Sequence, residues 1–314
     1  MRATSRFSWL CGLTVVAGIC CCGRDAAGVS PEHGPAAKTA LPGAAAAQPA
    51  ETTPAPELAR LTADQIAQRN AQARGGLAAW RSLDSIEFQG QMDAGGKPNV
   101  RLPFTLQMKR PHHQRLAIQF QGQTALQVYD GQNGWKLRPF LGRDDAEPFS
   151  DDEKLRLTHE DELDGPLIDY AAKGGRLELE GTEMVEGKAD YRLRLTRKDG
   201  YARRIWVDGT TFLETKIEGN PRRLDGRMHA VENYLRDYRQ VGGLMIPYAS
   251  ETRVGGVTQT RKMTLEKVVL NPKLDDQLFG KPVGTAGRAG AQAQRAAGVA
   301  NTVARQPAAA EPAQ

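Results

Sequence analysis

The chain has 314 residues, 40% hydrophobic and 25% charged, with aromatics at only 6%. That composition supports a buried core, and the length allows two average domains or one β domain of roughly 200–250 residues. Net charge is +5, or +3 once Arg2 and Arg6 leave with an export signal, too mild and dispersed for a nucleic-acid partner.

Residues 1–22 read as that signal. Arg2 and Arg6 supply the positive start, and residues 7–19 form an apolar stretch too short for a spanning helix, which needs about 20 residues. All four cysteines, Cys11, Cys20, Cys21 and Cys22, fall here, so disulfide and thiol chemistry are excluded from the rest of the chain. A lipoprotein signal places an aliphatic residue at −3 and a small one at −1 before the acylated cysteine. Cys22 meets this with Ile19 and Cys21, whereas Cys20 would put bulky Ile19 at −1. Cys22 is therefore the expected lipidation site, and a plain secretory cleavage near Ala27 is the alternative. Residues 23–61 and 283–314 are rich in Ala, Pro, Gly and Thr and are expected to be a disordered spacer and tail.

A helix opens the domain expected over residues 62–282. Thr62 and Gln65 form a capping box, and Ile66, Asn70, Ala73, Leu77 and Trp80 follow at helical spacing. From Ser85 the period changes to two: Ile86 and Phe88, then Leu102, Phe104, Leu106 and Met108, then Leu116, Ile118 and Phe120. Turn pairs such as Asp130-Gly131, Asn133-Gly134, Asp199-Gly200 and Asp225-Gly226 separate further strands near 176–182, 186–197, 201–208, 211–219, 228–240, 245–254 and 257–270. Consecutive hairpins predict an antiparallel meander. Pro103 lacks a ladder donor and suggests a bulge or edge in a sheet that does not fully close. A helical insertion is predicted over 150–174, with a capping box at Ser150 and Glu153 and a restart at Pro166. The fold class is thus mainly β (α+β), a curved antiparallel sheet covered by an N-terminal helix and a helical insertion.

No nucleophile elbow, zinc-protease motif, phosphate-binding loop or dinucleotide fingerprint occurs. His112 and His113 are adjacent, so on a strand they face opposite ways and make a poor chelate. No catalytic residue, metal or cofactor is expected. Asp164, Asp169 and Tyr170 flank Pro166 and suit an ordering role. The segment from Tyr129 to Trp135 suits a tight hairpin with core aromatics, or a ligand contact.

Together, Arg74-Gly75-Gly76-Leu77 with Trp80, Leu102-Pro103-Phe104, Lys109-Arg110-Pro111, the Tyr129 to Trp135 turn, Asp164-Gly165-Pro166-Leu167-Ile168-Asp169-Tyr170 and Leu270-Asn271-Pro272 resemble the LolA/LolB-like outer-membrane lipoprotein-sorting proteins. The resemblance covers roughly residues 62–282. It implies an incomplete antiparallel β-barrel enclosing an apolar cavity for lipid or lipoprotein acyl chains, in the periplasm of a bacterial envelope. The cysteine-ended signal and long spacer suit the membrane-anchored type, tethered through its N-terminal lipid. Candidate lining residues, taken to share one strand face, are Phe104, Leu106, Leu116, Ile118, Phe120, Val128, Trp135 and Leu137. A dry core accounts for the same stripe. An interaction module like the related periplasmic anti-sigma-factor regulators, with an unidentified protein partner, and a hydrolase with an unrecognised site stay open as alternatives.

Overall fold

The structure is a computed structural model that describes residues 58–94, 100–160 and 162–284. The signal with Cys22, the spacer through residue 57 and the tail from residue 285 lie outside the described residues. Leu58 and Leu61 lie against the sheet, and the Tyr191 hydroxyl donates to the Ala59 carbonyl at 2.8 Å.

The Thr62 capping box forms as expected and starts α1, Ala63–Ala73. The helix does not continue to Trp80 in one piece. Gly75 and Gly76 adopt φ of +108° and +94°, conformations that break the helix before α2, Leu77–Arg81. Gly75 also has no room for a side chain, since a Cβ there would sit 2.3 Å from the Gly243 carbonyl oxygen. The break rotates the expected stripe, leaving Leu77 exposed while Trp80 is 1% exposed.

Thirteen strands follow: β1 Ser85–Asp93, β2 Arg101–Lys109, β3 His113–Phe120, β4 Gln123–Asp130, β5 Gly134–Arg138, β6 Arg143–Pro148, β7 Arg176–Val185, β8 Lys188–Thr196, β9 Ala202–Asp208, β10 Glu214–Leu224, β11 Arg227–Val241, β12 Leu244–Val254 and β13 Arg261–Leu270. They form one sheet in the order β6-β5-β4-β3-β2-β1-β13-β12-β11-β10-β9-β8-β7, every pair antiparallel. Two meanders are thus joined in the middle by β1 and β13. Strands β6 and β7, neighbours in sequence, end up as the two free edges, so the curved sheet is an unclosed barrel.

The connection from 149 to 175 belongs to the side where those edges fail to meet. Its first half is α3, Asp151–Thr158, with the predicted Ser150–Glu153 capping box. The helix predicted after Pro166 does not form; residues 166–174 make turns instead. Strand β2 is interior to the sheet, yet Pro103 is paired on one side alone: it lies opposite Gln91 in β1, and the β2–β3 ladder begins one residue later at Phe104. The bulge lies in β13: Gln89 and Gly90 of β1 pair with Lys267 and Leu265, leaving Glu266 as the extra residue, and a Cβ on Gly90 would meet the Thr264 carbonyl oxygen at 2.0 Å.

One sheet face carries three apolar clusters, centred on Phe104 and Leu116, on Trp80 and Ile246, and on Leu193 and Ile205. The helices pack here, so this is the inner face. On the outer face the C-terminal 3-10 turn Asp276–Phe279 packs against β3 and β4, with Phe279 fully buried and stacked on His113 at 5.2 Å.

Candidate functional site: an apolar cavity on the inner face

Period-two strands of the sheet's middle turn their apolar residues inward, and the helices cover only part of that surface. A cavity of about 250 Å³ remains. Its wall is built by Phe88 and Met92 of β1, Phe104, Leu106 and Met108 of β2, Ile217 of β10, Leu235 of β11, Ile246 and Tyr248 of β12, and Met263 and Leu265 of β13. Register explains the convergence: Phe88 lies opposite Leu106, Met92 opposite Met263, and Leu235 opposite Ser250, and directly opposed side chains share a face. Polar lining groups gather at two places. Asp93, Asn233, Thr252, Arg261 and Lys262 stand toward one end of the strands, and Glu160 and Glu162 stand in the connection between β6 and β7, where Arg203 of β9 and Asn220 of β10 donate to the His159 and Arg156 carbonyls.

That connection is bound to the rest of the molecule by charge. Arg110, just after β2, donates to Glu162 at 3.1 Å, Asp164 at 2.8 Å and the carbonyls of Leu83 and Trp80. Lys173 reaches Asp164 at 2.7 Å, and Arg81 donates to Asp169 at 2.8 Å. The Arg81 guanidinium holds the Asp169 carboxyl below its usual range. The Tyr170 hydroxyl donates to Asp64, and burial together with that contact pushes its pKa up to about 12. Asp164, Asp169 and Tyr170 thus order the segment through side-chain contacts, without the second helix.

Deeper in, Arg74 donates to the Asp164 carbonyl at 2.7 Å and to Glu214 at 3.3 Å, and lies over the Trp80 ring at 4.3 Å. The Tyr238 hydroxyl donates to the Glu214 carbonyl at 2.9 Å. Burial, with the Glu214 carboxylate beside it, raises the Tyr238 phenol well above its ordinary value. These groups pair with one another at the break between α1 and α2.

The eight residues expected to line the pocket divide between faces. Phe104 and Leu106 line the cavity. Leu116, Ile118 and Phe120 share the inner face and pack behind them in the Phe104 cluster. Val128, Trp135 and Leu137 stand on the outer face. The tight turn after β3 pairs Phe120 with Gln123, so inward-facing residues switch from even numbers in β3 to odd numbers in β4, and the next hairpin pairs Tyr129 with Gly134 and switches them back. The Tyr129 to Trp135 segment is a hairpin turn: Asp130 accepts from the Gln132 and Asn133 amides, and the Tyr129 hydroxyl donates to the Gly131 carbonyl. Sequence reasoning missed the contribution of β10 to β13, although the alternation Ile246, Tyr248, Ser250, Thr252 carries the same signal.

Among the described residues no group of three or more His, Cys, Asp or Glu side chains could hold a metal ion, and no helix is long and apolar enough to cross a membrane. His112 instead lies 3.4 Å from Glu162.

No family model matches the chain, and no curated protein matches it. Among solved structures it is similar to a LolA superfamily protein from Nitrosomonas europaea, at 16% identity and a TM-score of 0.46, over 70% of this chain and 98% of that one. It is similar to a putative outer membrane lipoprotein-sorting protein domain from Vibrio parahaemolyticus, at 14% identity and a TM-score of 0.46, over 68% of this chain and 94% of that one. A DUF1329 family protein from Desulfovibrio piger gives 14% identity and a TM-score of 0.47, over 69% of this chain and 97% of that one. The first two bear names of the group that the sequence motifs resemble; the functional reading rests on the cavity.

Proposed function

We propose that the protein is a non-catalytic component of a bacterial envelope, tethered through Cys22, that holds acyl chains of a lipid or lipoprotein in this cavity during lipoprotein sorting or lipid transfer. The observation that carries the reading is the distribution of polarity: an apolar wall from Phe88 to Leu265 with charged and amide groups only at its margins. An amphiphile matches that distribution, its chain against the wall and its head at the margin. Each methylene moved from water to such a wall contributes about 0.8 kcal/mol, so a chain of several carbons is held without a cofactor. Lipid extracted with the protein tests this directly. Native mass spectrometry of the protein purified from the envelope is expected to give an acyl-bearing ligand released on denaturation. A preparation free of lipid, with a protein partner bound in its place, would move the assignment to an interaction module.

A further inference from the structure

The hairpins that end the cavity form a surface distinct from its wall. Strands β2, β1, β13, β12, β11 and β10 are six neighbours in the sheet, and the end of β1 with the start of β2, the β10–β11 turn and the β12–β13 turn lie at one end of them, opposite to the end where Gly75 packs on Gly243. Each end carries an exposed apolar residue, and exposed basic residues stand among the same strand ends. Val100 precedes Arg101 at the start of β2; Met228 follows Arg227 and lies opposite Arg223; Val257 is in the β12–β13 turn, and Lys262 is the second residue of β13. Met228 is 57% exposed, Val257 41% and Val100 38%. Asp225 is the exposed acid within this group.

An apolar side chain at a hairpin tip gains nothing from the fold it protrudes from. Three of them at one end of the sheet, with four exposed cations among the same strand ends, match one kind of surface: anionic headgroups over acyl chains, where short apolar side chains enter the interface and Arg or Lys meets phosphate. We propose that this rim docks on an anionic lipid bilayer, with Val100, Met228 and Val257 inserted and Arg101, Arg223, Arg227 and Lys262 against the phosphates. The same rim adjoins Asp93, Thr252 and Arg261 at the cavity margin, so docking brings the cavity's polar end against the membrane. The attachment is independent of what occupies the cavity, and it would orient a protein already tethered at its N-terminus.

The test uses the chain from residue 23 to 314, which lacks the signal and Cys22, in sedimentation with phosphatidylcholine vesicles containing or lacking phosphatidylglycerol. Binding to the anionic vesicles, weakened by salt as expected for charges beyond a Debye length of about 8 Å, supports the proposal. A basic residue near such a surface contributes roughly a five-fold factor in partitioning, so Arg223→Glu with Arg227→Glu should weaken binding at least about 20-fold. Met228→Asp with Val257→Asp should also weaken it, while Met184→Asp, at the opposite end of the sheet, should leave it unchanged. Equal binding to neutral vesicles, no binding to either, or rim variants that bind like the unaltered chain would each overturn it. Folding of every variant is checked by circular dichroism, and Met228→Ser replaces any aspartate variant that unfolds.

Discussion

The Arg110 guanidinium donates to the Asp164 carboxylate at 2.8 Å, joining the β2–β3 connection to the segment that follows the β6 edge. Asp164 is 2% exposed and also accepts from Lys173. Two cations therefore converge on one buried carboxylate, and the geometry is kept only while all three are present.

Asp164→Ala should destabilise the protein by about 2–3 kcal/mol, because removing one partner leaves buried or half-buried charge uncompensated. Asp164→Asn, which keeps an acceptor, should cost less. Chemical denaturation measures both; a loss under about 0.5 kcal/mol for the alanine variant would mean that the segment is held by its other contacts.

Trp80 fills the centre of the helix-to-sheet contact, and its indole N–H donates to the Arg74 carbonyl at 3.0 Å. Trp80→Ala should cost roughly 3–5 kcal/mol, the range for large buried aromatics. A loss below about 1 kcal/mol would be incompatible with the packing described.

Much of this architecture was legible as periodicity. The alternation over Leu102 to Met108 and Leu116 to Phe120 gave strands β2 and β3, and both capping boxes fixed helix starts to the residue. Strand β6 escaped because Arg143–Pro148 is polar on both faces and has no apolar alternation to read. The faces of Val128, Trp135 and Leu137 escaped because face depends on turn length, and a turn longer or shorter by one residue reverses it. The cavity escaped in half, since its wall depends on β1 meeting β13, a pairing across most of the chain that no local pattern encodes.

Asp190 is fully buried, at 0% exposed; one carboxylate oxygen accepts from the Thr215 hydroxyl. Burial foremost, and Asp208 beside it, raise its pKa from 3.8 to about 6, against the opposing pull of Thr215, Lys188 and Lys216. A raised folded-state pKa means that the native state binds the proton more tightly than the unfolded chain does. This group's contribution to stability is therefore complete below about pH 3.8 and is lost as pH rises through about 6, a change of roughly 3 kcal/mol. Asp190→Asn should flatten that part of the stability profile and raise the melting temperature at pH 7.5. A profile unchanged by the substitution would place the titration elsewhere.

Cys22 lies outside the described residues, and its expected acylation is tested on the protein itself. The mature N-terminus should be a lipid-modified Cys22, with Cys22→Ala abolishing the modification. Mass spectrometry that found an unmodified terminus beyond residue 22, such as one created after Ala27, would remove the tether.

Displacement of a fluorescent fatty acid tests the central claim most directly. Ser250 is half-buried on the cavity wall, so Ser250→Trp should fill the space while the fold stands; Phe104→Asp places a charge against the same wall. The unaltered, delipidated protein should bind the probe and release it to unlabelled fatty acid. Ser250→Trp should lose most of that binding with a melting temperature within a few degrees of the parent, and Phe104→Asp should lose it as well. A delipidated protein that binds no probe, or a Ser250→Trp variant that is folded and binds like the parent, would contradict an acyl-binding cavity on the inner face.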